Sequence, residues 1–476
     1  MKIKERIKNI VLALLIISSV CLTLNIWFDK KLWPDGYNFF SDITQKIFGQ
    51  KVLKNSGSLS KEKLALPKQL VVNNASKRSI FYETDEAYDT IITPVKSIFI
   101  IALTSDNYTK STSDEWNSAL KAKSIFVSYP VAYDSEVLGN ILGVQKVKTG
   151  SMTIRDFIIS QGDIASSSLY VYIRDYTDQS IKKCSVRYDK KEFENLLTRY
   201  AGSTTGDLPY SFELNFDKIN SDSQNVTISP DVVLSINRTR HSSLYSINPV
   251  FSRSNEDFDS ETVDTILKKF SFNINTARKY TEPDGAIVYV ENYGSIKIHP
   301  SGYFEYKAIA PDKGVSLPVD ADADFNSIFT ASLNFVTDFW TGVVPQSELN
   351  LSLTGDIVNK SLSDVEFTMN YYINGTLIRD DIQNALTGEI SPYALTMNVS
   401  NGKITAYKQL IRIYYTGDTD IENISTIEAL DKLFASKDDL KNTNVREIFP
   451  AYFNDGGTYA ITYAAKSDSG KTVLIK

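Results

Sequence analysis

AIVYVENYGSIKIHPSGYFEYKA, residues 286–308, follows a Pro283-Asp284-Gly285 turn signal and holds three strand-like runs in 23 residues. Ala286–Glu291, Ser295–His299 and Gly302–Ala308 read as consecutive strands with tight connections. Just upstream, Ser260 to Phe270 carries Val263, Ile266, Leu267 and Phe270 at the three- and four-residue spacing of an amphipathic helix. A helix followed by an antiparallel meander makes this middle unit, residues 226–315, an α+β structure. Val232 to Ile236 reads as its first strand.

Toward the C-terminus, a unit spanning 316–476 repeats the mixture. Asp324 to Phe339 is apolar at helical spacing, and Ser425 to Phe434 is a second helix. Leu349–Gly355, Asp364–Ile373, Tyr393–Ser400 and Lys403–Tyr415 read as strands. Asn374-Gly375 and Asn401-Gly402 are hairpin turns, because both residues of such a turn need positive φ. Gly457–Ala465 and Thr472–Ile475 form a closing hairpin.

Toward the N-terminus lies a third α+β unit, residues 29–225. Gly36 to Phe48 reads as a short amphipathic helix and Lys54 to Lys63 as a polar linker. Gln69–Val72 suits a strand, and Ile98–Leu103 a buried strand or helix segment. Ser113-Asp114-Glu115-Trp116 opens a helix, with Ser or Asp supplying the cap oxygen. Ser124–Pro130 is a strand, Glu136–Leu142 a helix, Leu169–Tyr176 a strand and Glu192–Tyr200 a helix. Gly202–Gly206 is a loop.

Ahead of these units, Ile10 to Phe28 is an apolar run with no charged residue. About 19 residues at ~1.5 Å each span the hydrocarbon of a bilayer. Lys2, Lys4, Arg6 and Lys8 precede the run, which predicts residues 1–9 in the cytoplasm and the body outside. Trp27, Phe28 and Trp33 follow it as membrane-interface anchors. A cleaved signal peptide would need a shorter core and an Ala-x-Ala site, which is missing. Cys21 lacks the preceding small residue of a lipidation signal. The sequence thus predicts a single-pass cell-membrane protein, with one transmembrane helix and a multidomain exported body of antiparallel sheets with packed helices.

Composition narrows the function. At 42% hydrophobic and 23% charged residues the chain is that of a folded protein. Its net charge of −6, with no Lys/Arg cluster, argues against a nucleic-acid partner. Cys21 and Cys184 are the two cysteines, and Cys21 falls in the membrane run, so no disulfide is expected within the body. An exported body held by its cores alone suits a Gram-positive surface.

Motifs for chemistry are scarce. His241 and His299 are far apart in sequence, and HExxH, GxSxG, CxxC and glycine-rich phosphate loops are missing. Asp320, Asp322 and Asp324 begin like a calcium loop. Phe325 and Ala331 stand where an EF-hand needs Gly and Glu, which excludes that loop and leaves two readings, a cap for the next helix, which is preferred, and a surface cation site. Ser58-x-x-Lys61, Ser105-Asp106-Asn107 and Lys148-Thr149-Gly150 follow the order of serine penicillin-interacting enzymes. Ser58, however, lies in a polar linker ended by Pro67 rather than at the start of a buried helix. No catalytic, cofactor or metal site is predicted.

The N-terminal anchor ending in Asn25-Ile26-Trp27, and Glu115-Trp116 followed by SIFVSYP at 124–130, resemble the YycH family. These are extracytoplasmic regulators of the WalK (YycG) sensor histidine kinase. The pattern from Tyr289 to Tyr306, FTMNYYING at 367–375 and VSNGKITAY at 399–407 are similar to that family's later strands. Gly375-Thr376-Leu377-Ile378 departs from the Gly-x-Pro-Val that the family often carries there. The resemblance implies a non-enzymatic regulator, placed beside a WalK-type kinase and a sister regulator of the YycI type, acting on cell-wall metabolism through transmembrane contacts. Ser18, Cys21 and Asn25 share one face of the membrane helix and are the candidate partner face. The runner-up is an exported wall-binding protein or a serine acyl-transfer enzyme.

Overall fold

A computed structural model describes residues 66–75, 77–162, 168–202, 208–216, 226–252, 256–320, 322–345, 347, 349–357, 362–380, 382–383, 390–435, 443–455, 457–468 and 470–475. The membrane run, the partner face Ser18, Cys21 and Asn25, and the anchors Trp27, Phe28 and Trp33 lie outside them, as do Ser58 and Lys61. No helix among the described residues is long and apolar enough to cross a membrane.

The first sheet has seven antiparallel strands. They are β1 (Gln69–Asn74), β2 (Lys77–Phe81), β3 (Tyr108–Ser111), β4 (Ser124–Asp134), β5 (Thr153–Gln161), β6 (Ser168–Asp175) and β7 (Ile181–Arg187), in the order β2-β1-β4-β5-β6-β7-β3. Helices α1 (Tyr88–Leu103), α3 (Ser135–Ile141) and α4 (Lys190–Tyr200) share a core with one face. Helix α2 (Ser113–Lys121) puts Trp116 and Leu120 with Phe126, Ile158 and Tyr210 on the other. A sheet covered on both faces needs apolar residues on both, so β4 and β5 read as near-continuous apolar runs. Ile98–Leu103 belongs to helix α1, and Phe99 stacks on Phe157 of β5 at 4.0 Å. Helix α2 is capped by Thr112, one residue earlier than expected. Its hydroxyl accepts from the Glu115 amide at 3.2 Å, and the Glu115 carboxylate accepts from the Thr112 amide.

The second sheet has fourteen strands. Its main path uses β9 (Arg278–Thr281), β10 (Ile287–Glu291), β11 (Gly294–Ile298), β12 (Tyr303–Ala308), β13 (Val365–Ile373), β14 (Thr376–Arg379), β15 (Leu395–Ser400), β16 (Lys403–Leu410), β18 (Asn444–Asp455), β19 (Thr458–Ser467) and β20 (Thr472–Ile475). The order is β9-β10-β11-β12-β16-β15-β13-β14-β18-β19-β20. Pairing is antiparallel except that β14 and the short strand Thr227–Ile228 run parallel to β18. Strand β8 (Arg240–Ile247) forms a separate ribbon with β17 (Ile413–Glu422). The expected strand Lys403–Tyr415 is therefore two strands, parted at Ile411–Arg412 and paired in different sheets.

The three strands at 286–308 and both Asn-Gly turns form as expected, with φ of 49° and 74° at Asn374-Gly375 and 45° and 73° at Asn401-Gly402. Helix α5 (Ser260–Lys269) and helix α6 (Phe325–Val343) pack on this sheet through Phe270, whose ring meets Phe304, Tyr306, Phe335, Phe339 and Tyr407. Asp324 caps α6 by accepting from the Ser327 amide at 2.8 Å. Helix α7 (Thr426–Ala435) covers β18, β19 and β20 with Ala429, Leu430 and Leu433. The described residues thus form an α+β structure of extensive antiparallel sheets with seven α-helices.

Val232–Ile236 is not a regular strand. It makes one bridge, Val233 to Tyr210, and its Leu234 amide donates to the Pro209 carbonyl at 2.8 Å. The stretch around it joins the two sheets: Arg174 of β6 donates to Asp231 at 3.0 Å, the Ser229 amide donates to the Val445 carbonyl of β18 at 2.8 Å, and Thr426 of the helix after β17 donates its hydroxyl to the Ser235 carbonyl at 2.8 Å.

Candidate functional site

Between the two sheets lies a cleft of about 480 Å³. One wall comes from β1, β2, β4 and β5, the other from β18 and β19, with residues 231–242 between. Two charged doublets face each other across it. Arg155-Asp156 sits inside the apolar strand β5, and Arg446-Glu447 inside the apolar strand β18.

Glu447 is the centre of the cluster. Lys68 donates to its Oε1 at 2.6 Å and Arg155 to its Oε2 at 2.7 Å. Burial works against this carboxylate, yet Lys68, Arg155 and Lys466 together hold its pKa down at about 2. Burial also pulls Lys466 down to about 8, with Arg155 adding repulsion. Its ammonium donates to the carbonyls of Thr354 at 3.2 Å and Pro130 at 3.4 Å. Lys68 is lowered chiefly by burial, and its ammonium lies 3.7 Å from the centre of the Phe449 ring.

The neighbouring groups are similarly tied. Ser128 donates to Asp156 at 2.6 Å, and burial raises the pKa of that carboxyl. Arg174, stacked 4.2 Å from the Trp116 ring, donates to Asp231 at 3.0 Å. Arg446 donates to Asp468 and lies 3.9 Å from the Tyr176 ring centre. His241 lines the cleft with its Nε2 at 3.0 Å from the Thr239 hydroxyl, and burial lowers its pKa. His241 is hydrogen-bonded to neither Ser128 nor Asp156, so the three do not form a nucleophile relay.

The other residues flagged by sequence lie elsewhere. His299 faces Asp284, with Nδ1 to Oδ2 at 3.6 Å. Cys184 is buried and free. The Ser105-Asp106-Asn107 and Lys148-Thr149-Gly150 triplets do meet, through an ion pair of Lys148 and Asp106 at 2.7 Å. That pair is largely exposed rather than enclosed. Among the described residues, no group of three or more His, Cys, Asp or Glu could hold a metal ion. Sequence reasoning missed the cleft cluster. Its signal was a pair of opposite charges set inside an apolar run, TIRDFII at 153–159 and VREIF at 445–449, since such charges are seldom buried unless paired.

The chain matches no family model and no curated protein. Its structure is similar to the crystal structure of YycH from Bacillus subtilis, with a TM-score of 0.56 and 9% identity, over 88% of this chain and 98% of that one. At that identity the likeness concerns the fold. The chain therefore has a YycH-like fold across nearly all of the other protein's length.

Proposed function

We propose that this protein is a membrane-anchored, extracytoplasmic regulator of a two-component sensor histidine kinase of the WalK type, working without an enzymatic step of its own. The observation that supports this most is the YycH-like architecture, which extends through both sheets rather than over one module. The N-terminal sequence agrees with it: a basic flank, an apolar run at 10–28, and Trp27, Phe28 and Trp33 beyond. In this reading residues 1–9 are cytoplasmic, the helix contacts the kinase's own membrane helices, and the body meets the kinase and a YycI-type sister regulator outside. The regulated output is cell-wall metabolism.

Ser18, Cys21 and Asn25 form the helix face that meets the partner. Replacing all three by Leu keeps membrane insertion, because it raises hydrophobicity. It should reduce co-purification of the kinase with the full-length chain, whereas Ile16→Leu with Val20→Leu on the opposite face should not. Unchanged recovery of the kinase in the triple variant would refute contact through this face.

A second reading, serine acyl transfer, has one observation in its favour, the Asp106–Lys148 contact between two of its triplets. The exposure of that pair favours the regulatory reading, since acyl-transfer chemistry wants its charged partners enclosed.

A further inference from the structure

The cleft between the sheets has the size of a small-molecule site, within the roughly 300–1,000 Å³ typical of such pockets. Ile80, Phe126, Val233, Ile448, Phe449 and Tyr463 give it apolar walls. Its lining charges are Lys68, Arg155, Arg240 and Arg446 against Asp156, Asp231 and Glu447.

These charges are not equally satisfied. Glu447 is held by two cations, Asp231 by Arg174, and Asp156 by the Ser128 hydroxyl. Burial raises the pKa of the Asp156 carboxyl, against the pull of Arg155 and Arg174. On the cationic side, Arg446 keeps its Nη1 buried without a hydrogen-bond partner among the described residues. Arg240, exposed on strand β8, has no side-chain hydrogen bond or ion pair among the described residues. Arg240 therefore offers exposed, unused guanidinium donors at the cleft, whereas the unused Nη1 of Arg446 is itself enclosed. Among the described residues of the cleft lining, the unused buried carboxylate oxygen is Asp231 Oδ1. A guanidinium offers planar, paired donors suited to a carboxylate, sulfonate or phosphate.

We infer that this cleft binds a small amphipathic anion, with its charged head toward Arg240 and its apolar body against Phe126, Ile448 and Phe449. Such a head could belong to an acyl chain or to the C-terminus of a short peptide. Both present one carboxylate on an apolar body. The inference does not rest on the kinase reading, because ligand binding and kinase contact are measured separately.

The test is calorimetric titration of the purified full-length chain in lipid nanodiscs. The two anionic probes are 4-phenylbutyrate, for the acyl source, and N-acetylphenylalanine, for the peptide source. N-acetylphenylalaninamide and 4-phenylbutylamine are their uncharged and cationic counterparts, and empty nanodiscs give the background. At least one anion should bind saturably, about tenfold more tightly than its counterpart. Arg240→Gln, at an exposed position, should weaken that binding about fivefold or more with the melting temperature unchanged. Which acid binds more tightly assigns the source. Equal affinity for acid and amide, preference for the amine, no saturable binding of either acid, or an unaffected Arg240→Gln variant would each overturn the inference.

Discussion

Glu447 sits where three cations converge, so its ionisation is worth more than that of an ordinary surface carboxylate. Lys68 and Arg155 bond its two oxygens, and Lys466 adds its charge from nearby. Glu447→Gln leaves those cations without their counter-charge. It should lower stability by about 3 kcal/mol in urea unfolding, the scale for breaking a buried pair by removing one partner. Lys68→Met added to Glu447→Gln should recover part of that loss, because the two changes share one interaction. The pH dependence has two arms. Glu447 is depressed in the folded state, so its stabilisation is present above its ordinary value of 4.5 and is lost as pH falls toward 2. Lys466 is also depressed, so the unfolded chain binds more protons between about 8 and its ordinary 10.5, and stability from this group rises with pH across that window. Urea midpoints at pH 3, 7 and 9.5 would check both arms. The sequence carries a signal for the cluster, opposite charges inside apolar runs, that the reading of its motifs passed over. What the sequence could not convey was that Arg155 and Glu447, 292 residues apart, meet across two sheets.

Elements formed by local rules were read well, and elements shaped by their surroundings less so. The helix 260–270, the three strands at 286–308 and the Asn-Gly hairpins depend on periodicity and turn chemistry, and each appears where expected. Strands β5 and β18 were missed because burial on both faces removes the alternation that marks a strand. Ile98–Leu103 remained ambiguous between strand and helix, since a short apolar run has no period of its own; the stripe Ile91, Val95, Ile98, Ala102 resolves it as helix. Two substitutions measure these contributions. Phe270→Ala empties the space among five aromatic rings and should cost about 3–5 kcal/mol. Thr112→Ala removes the cap of α2 and should cost about 1 kcal/mol, whereas Ser113→Ala, one residue along, should cost much less. Thermal melts of the three variants would rank them, and equal losses at positions 112 and 113 would contradict the observed cap.

At the scale of the molecule, the long sheet draws strands from 278–308 and from 365–475, and the stretch 226–242 ties it to the first sheet. The Lys68–Glu447–Arg155 cluster adds ionic contacts across the same junction. Hydrogen bonds and ion pairs thus link the two sheets at that junction. Regulation of a kinase needs differential contact with two kinase states, typically worth ~1–3 kcal/mol. The central claim is that this chain changes the activity of a sensor kinase. Its most direct measurement is autophosphorylation of the purified WalK-type kinase in lipid vesicles, alone and with the full-length chain at equal density, with a chain whose segment 10–28 is replaced by an unrelated apolar helix as control. The account predicts that the native chain shifts the initial rate about threefold or more in one direction and that the control does not. Identical rates in all three preparations would contradict it.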